Sequence, residues 1–115
     1  MIVEIKSENV KVQCLLEGAM LHSLVKDEVE YLWQGDKKYW AGQAPVCFPI
    51  TGVLRDSKAV AFGKPCEMKR HGIARINPFE IREQGANFVS FIQNSSEETK
   101  KASRLIIPLK FAILF

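Results

Sequence analysis

The chain has 115 residues, 47% hydrophobic and 25% charged, with a net charge of +3 and a pI near 8.8. That length holds one domain, and that balance excludes extensive disorder and several domains. Residues 1–57 carry six Lys/Arg against eight Asp/Glu and residues 58–115 ten against five, without the basic stripe and recognisable module of a nucleic-acid binder.

Residues 1–6 alternate apolar and polar and read as a strand. They lack the basic start and long apolar run of a signal peptide. After the turn Ser7-Glu8-Asn9, residues 10–16 form a second strand with Val10, Val12 and Cys14 on one face. Gly18 breaks it. Residues 20–25, which include His22, are a third strand, and residues 29–33, rich in aromatics, a fourth. Short β-type runs with turn signals every eight to ten residues or so predict a sandwich or barrel.

Residues 34–43, with Gly35, Asp36, Gly42 and Tyr39-Trp40, read as a loop or one helical turn. Aromatics there either cover the core edge or stack on a ligand. Residues 45–55 hold Pro45, Pro49 and Gly52, which exclude a central strand. An irregular segment of this kind shapes a binding cleft. Residues 59–62 and 66–68 predict a hairpin around Gly63-Lys64-Pro65.

Residues 78–82 and 88–94 are two further strands joined by a turn at 83–87. In the second, Val89, Phe91 and Gln93 share one face and Phe88, Ser90 and Ile92 the other. Residues 95–103 read as a polar connection, and no amphipathic helix of ordinary length is visible. Residues 104–115 are strongly apolar and predict a terminal strand. An exposed apolar edge there would invite pairing with a second chain, so a homo-oligomer is expected.

Cys14, Cys47 and Cys66 are odd in number, far apart and without CxxC spacing. They read as small hydrophobes in a reducing compartment. No run reaches the roughly 18 apolar residues of a membrane span. Asn94-Ser95-Ser96 matches a glycosylation acceptor but reads as a polar loop. The expectation is a cytoplasmic protein with neither nucleic acid nor membrane as partner.

Polar chemistry concentrates in residues 48–56 and 70–75. His71 is one of two histidines; Arg70 and Arg75 flank it and Gly72 follows it. Glycine lets a ligand approach the main chain. An imidazole offers one donor and one acceptor, and a guanidinium a rigid fork of donors. The set suits sugar hydroxyls or anionic oxygens; scattered charge on a surface turn is the plainer alternative.

Several segments together resemble the aldose 1-epimerase (galactose mutarotase-like) family, in its LacX-type branch. They are Glu17-Gly18-Ala19-Met20-Leu21, Glu30-Tyr31-Leu32-Trp33-Gln34-Gly35-Asp36 with Tyr39-Trp40, Pro45, Phe48-Pro49-Ile50 with Gly52, and His71-Gly72-Ile73-Ala74-Arg75. The resemblance covers about residues 1–100. It implies an all-β fold, the N-terminal portion of a large antiparallel β-sandwich. It also implies anomer exchange of galactose- or glucose-class hexoses by a general acid and base, without metal or organic cofactor. By motif, His71 corresponds to a sugar-holding histidine; Arg55 is the candidate for a sugar-holding arginine, with Arg75 the second candidate.

Members of the family are much longer, and their catalytic histidine and glutamate fall in a part this sequence does not contain. His22 reads as a strand residue. Residues 1–103 are family-like, and 104–115 only loosely so, through Pro108-Leu109-Lys110-Phe111-Ala112-Ile113. The expectation is therefore one truncated domain over 1–115, carbohydrate-related and unable to catalyse mutarotation by itself. The alternative is a small β-domain that binds carbohydrate or self-associates.

Overall fold

The computed structural model describes residues 1–106 and 108–114. Strands β1 (Ile2–Ser7), β2 (Val10–Leu15), β3 (Leu21–Lys26) and β4 (Val29–Glu30) form an antiparallel sheet in that order. Val3 pairs with Cys14 and Ile5 with Val12, and all four are buried. The period of two along each strand thus delivers one apolar face. β4 is shorter than the expected 29–33 strand. The Glu30 carboxylate accepts the backbone N–H groups of Leu24 and Leu32, each at 2.9 Å. The Tyr31 N–H still donates to the Leu24 carbonyl at 2.8 Å, but the Leu24 N–H is taken by the side chain, and Tyr31 and Trp33 are left exposed.

β5 (Lys58–Ala61) and β6 (Lys64–Glu67) make the expected hairpin, with Ala61 opposite Lys64. The turn is Phe62-Gly63, one residue earlier than the sequence suggested. Both residues have positive φ, +53° and +70°, as a type I′ turn requires. Pro65 sits within β6, tolerated because a two-stranded sheet consists of edges.

The third sheet has the order β7 (Glu80–Gln84), β8 (Phe88–Gln93), β9 (Leu109–Leu114). Val89, Phe91 and Gln93 are buried, as the alternation foretold. Phe91 stacks on Phe111, its cross-strand partner, with ring centroids 6.5 Å apart. The expectation for 104–115 holds over β9, while Ile107 and Phe115 lie outside the described residues.

The polar connection contains a helix, α1 (Glu97–Ser103), against expectation. Ser96 Oγ accepts the Thr99 N–H at 3.1 Å, and Thr99 Oγ1 accepts the Ser96 N–H at 2.8 Å. This reciprocal cap satisfies donors that a helix start otherwise leaves unpaired. The buried positions of α1 are Thr99 and Ser103, not apolar residues, so no hydrophobic period marks it.

Val3, Ile5, Val12 and Cys14 from the first sheet share one apolar cluster with Val89 and Phe91 from the third. Phe79, Ala19 and Ala74 complete it. The molecule measures 51 × 36 × 20 Å and exposes 7736 Å². A compact chain of 13.0 kDa exposes roughly 6,300 Å². Among the described residues no helix is long and apolar enough to cross a membrane.

Candidate functional site around His71

The irregular segment before β5 and the loop after β6 meet at Phe48 and Gly72, which form a single parallel bridge. The Phe48 carbonyl accepts the N–H groups of Ile73 (2.8 Å) and Ala74 (3.2 Å), and its N–H donates to the His71 carbonyl (3.2 Å). The Phe48–Pro49 peptide is cis. Gly72 has φ +76°, and a Cβ there would lie 2.2 Å from the Phe48 oxygen. Only glycine fits so close to another main chain.

His71 itself has φ +65°. That region is uncommon for a residue with a Cβ and persists where the surroundings over-determine it. Here Gly52 does so. The His71 N–H donates to the Gly52 carbonyl at 2.8 Å, and the Gly52 N–H donates to His71 Nδ1 at 2.9 Å. A backbone N–H can only donate, so Nδ1 is an acceptor and the ring proton resides on Nε2.

Arg75 lies in a 3-10 turn, Ala74–Ile76, that follows the histidine directly. Its Nε donates to the Arg70 carbonyl at 3.0 Å. Its own carbonyl lies against Gly18, where a Cβ would come within 2.7 Å. The Gly18 N–H in turn donates to the Asn77 carbonyl at 3.0 Å. The histidine loop is thus clamped at two glycines, against the segment after β2 at Gly18 and against the Phe48–Pro49 segment at Gly72.

A cleft of about 310 Å³ opens over this loop. Arg70, His71 and Arg75 line it together with Met20, Trp40 and Gln43. The Gln43 amide donates to the carbonyls of His22 and Trp33, each at 3.0 Å. Its oxygen lies 2.8 Å from His22 Nδ1, so His22 is the donor there. Nδ1 thus donates in His22 and accepts in His71, and His22 stands behind Gln43 instead of on the cleft wall.

The structure places His71 and Arg75 on one cleft, with Arg70, Trp40 and Gln43 beside them. Arg55 is exposed on the 3-10 turn Arg55–Ser57 and does not line this cleft. Arg70 was visible as a flank of His71. Trp40 and Gln43 come from a loop some 30 residues earlier, and no local spacing ties them to it. Two roomier hollows, about 510 and 650 Å³, flank α1 and the β5–β6 hairpin. Lys, Glu and Arg are the most numerous residues in their walls, and neither contains a histidine. Among the described residues no three His, Cys, Asp or Glu side chains gather to hold a metal.

No protein-family model matches the chain. It is 41% identical over 99 residues to the plasmid-encoded protein LacX of Lactococcus lactis subsp. lactis, a match covering 79% of this chain and 32% of that protein. The structure superposes on a galactose mutarotase related enzyme from Lactobacillus acidophilus with a TM-score of 0.94 and 27% identity. That superposition covers 100% of this chain and 39% of the other. A galactose mutarotase-like protein from Lactobacillus casei gives a TM-score of 0.93 and 30% identity, covering 99% and 40%. The chain thus spans about a third of the length of the curated relatives it matches.

Proposed function

The chain is a LacX homologue with the galactose mutarotase-like fold, and from that kinship we propose that it recognises aldohexoses without catalysing their mutarotation by itself. The observation that carries the reading is the fixed His71 ring. With Nδ1 bound to Gly52, Nε2 is the one ring atom left for a ligand, and it presents a donor. Arg70 and Arg75 line the same cleft. Such donors suit the oxygens of a hexose of the galactose or glucose class.

Exchange of anomers needs more than these donors. A base must take the anomeric hydroxyl proton while an acid protonates the ring oxygen. Arginine stays protonated in proteins. Among the described residues lining the cleft, His71 is the sole imidazole and no carboxylate stands beside it. One nitrogen cannot act as acid and base at two separated oxygens at once. No step of the proposed recognition uses a metal or organic cofactor.

The test is titration of uniformly nitrogen-labelled protein with D-galactose and D-glucose, followed by the His71 Nε2 and Gly52 amide resonances. Saturable shifts at both, absent in His71→Gly, are expected. Unmoved resonances up to hundreds of millimolar sugar would refute the reading.

A second reading, self-association, has its own support. The surface exceeds that of a compact chain by about a fifth. That excess is of the order a standard protein interface removes from one partner or more. β9 is an edge strand whose alternate residues Lys110, Ala112 and Leu114 are exposed. A second copy pairing there would cover it. Light scattering across a concentration series decides this: a dimer is expected, and a monomer at high concentration refutes it.

A further inference from the structure

We propose that the Trp40 indole is the wall on which a pyranose stacks in the His71 cleft. We further infer that it favours sugars with a continuous C–H face, galactopyranose above glucopyranose. This inference rests on the sugar-binding reading above and names the residue that would set its specificity.

Trp40 borders the cleft together with Arg70, His71 and Arg75. It is 55% exposed, so its apolar bulk is not used to fill the core. Yet it is held in place. The backbone N–H groups of Trp40 and Tyr39 donate to the Asp36 carbonyl at 2.8 and 3.0 Å, closing a turn. The Lys38 N–H donates to Asp36 Oδ1 at 2.8 Å within the same turn. The Trp33 indole N–H donates to the Trp40 carbonyl at 2.9 Å. Three residues on, Gln43 is tied to the carbonyls of His22 and Trp33.

The ring rests against Gly42. A Cβ at Gly42 would lie 2.5 Å from Cζ2, 2.6 Å from Cε2 and 2.9 Å from Nε1 of Trp40. The missing side chain thus makes room for the indole beside its own backbone. An exposed aromatic set against Gly42 on an ordered turn has little backbone freedom to lose on binding, which is what preorganised recognition needs. Binding pockets commonly combine such apolar surface with a few placed polar groups. Here Trp40 supplies the surface, and His71 and the two arginines the polar groups.

The chemistry of the ligand follows. A pyranose carries hydroxyls around its rim and C–H bonds on its faces. In galactopyranose the axial hydroxyl at C4 leaves H3, H4 and H5 gathered on one side. In glucopyranose H4 points to the opposite side and the patch is split. An aromatic wall therefore gains more from the galacto configuration.

The experiment uses the full chain, uniformly nitrogen-labelled, titrated with D-galactose and with D-glucose. The indole resonance of Trp40 should shift together with His71 Nε2, and galactose should bind more tightly. Trp40→Leu should weaken galactose roughly three- to tenfold and bring the two sugars to similar affinity. Trp40→Phe should stay within about threefold of wild type because an aromatic face remains. Gly42→Ala should also weaken galactose by displacing the ring without deleting it. An unchanged Gly52 amide in the free variants confirms that the histidine loop is intact. If Trp40→Leu binds galactose as wild type does while His71 still responds, the wall is refuted and the sugar site stands. If neither residue responds to either sugar, both fall.

Discussion

Gly52 grips His71 twice: its carbonyl accepts the histidine N–H at 2.8 Å, and its N–H donates to the ring Nδ1 at 2.9 Å. The backbone of one residue thus sets both the left-handed conformation of the other and the tautomer of its ring. Replacing the ring should separate these roles. His71→Gly keeps a residue at ease with φ +65° and removes the imidazole. The lost ring bond and the relieved backbone strain are each on the order of 1 kcal/mol and oppose one another. Chemical denaturation should therefore show stability within about 1 kcal/mol of wild type, while the response to sugar disappears.

Gly72→Ala tests the bridge to Phe48. The added Cβ would sit 2.2 Å from a backbone oxygen, in a conformation unfavourable to alanine. Backbone cannot yield as a side-chain tip can, so the loop must separate from the cis segment. A loss of at least about 2 kcal/mol in urea unfolding is expected. Wild-type stability would mean that the two segments do not touch.

Cys14 gives a prediction in alkali. Burial in the apolar cluster pushes its thiol up to about 11 from an ordinary 9.0. The unfolded chain releases that proton first, so this contribution to stability is intact below pH 9 and declines as pH rises toward 11. Cys14→Ala should flatten that part of the curve. At pH 8 an aromatic disulfide reagent should modify half-buried Cys47 first and Cys14 only on unfolding.

Glu30 gives the mirror case in acid. Burial pushes its carboxyl up, but hydrogen bonds from the Ser23 hydroxyl and from the Leu24, Leu32 and Tyr31 N–H groups outweigh it. The net displacement is below the ordinary 4.5. Its contribution is therefore present above about pH 4.5 and lost as pH falls through the lower folded value. Glu30→Gln should melt a few degrees lower than wild type at pH 7, with the gap closing below pH 4. A gap that persists in acid would show that charge is not what Glu30 contributes.

Much of the fold was legible along the chain because the strands are amphipathic with period two. Val12 and Cys14, and Val89, Phe91 and Gln93, fall on the faces their alternation predicts. α1 was not legible, since its buried positions are hydroxylic and its start is fixed by a cap between Ser96 and Thr99. β4 was read too long, because its sequence keeps a β-like composition where the Glu30 carboxylate captures the Leu24 and Leu32 N–H groups. In the site, His71 and Arg75 were readable as neighbours in one short motif. Trp40 and Gln43 reach the same cleft only through tertiary packing, which no local pattern records.

The most direct measurement is exchange spectroscopy on the anomeric protons of D-galactose in the presence of the protein, which reads binding and anomer exchange together. The account predicts lines broadened by contact with the His71 cleft and an exchange rate equal to that in buffer. Exchange faster than in buffer, abolished by His71→Gly, would contradict it, as would lines the protein leaves sharp.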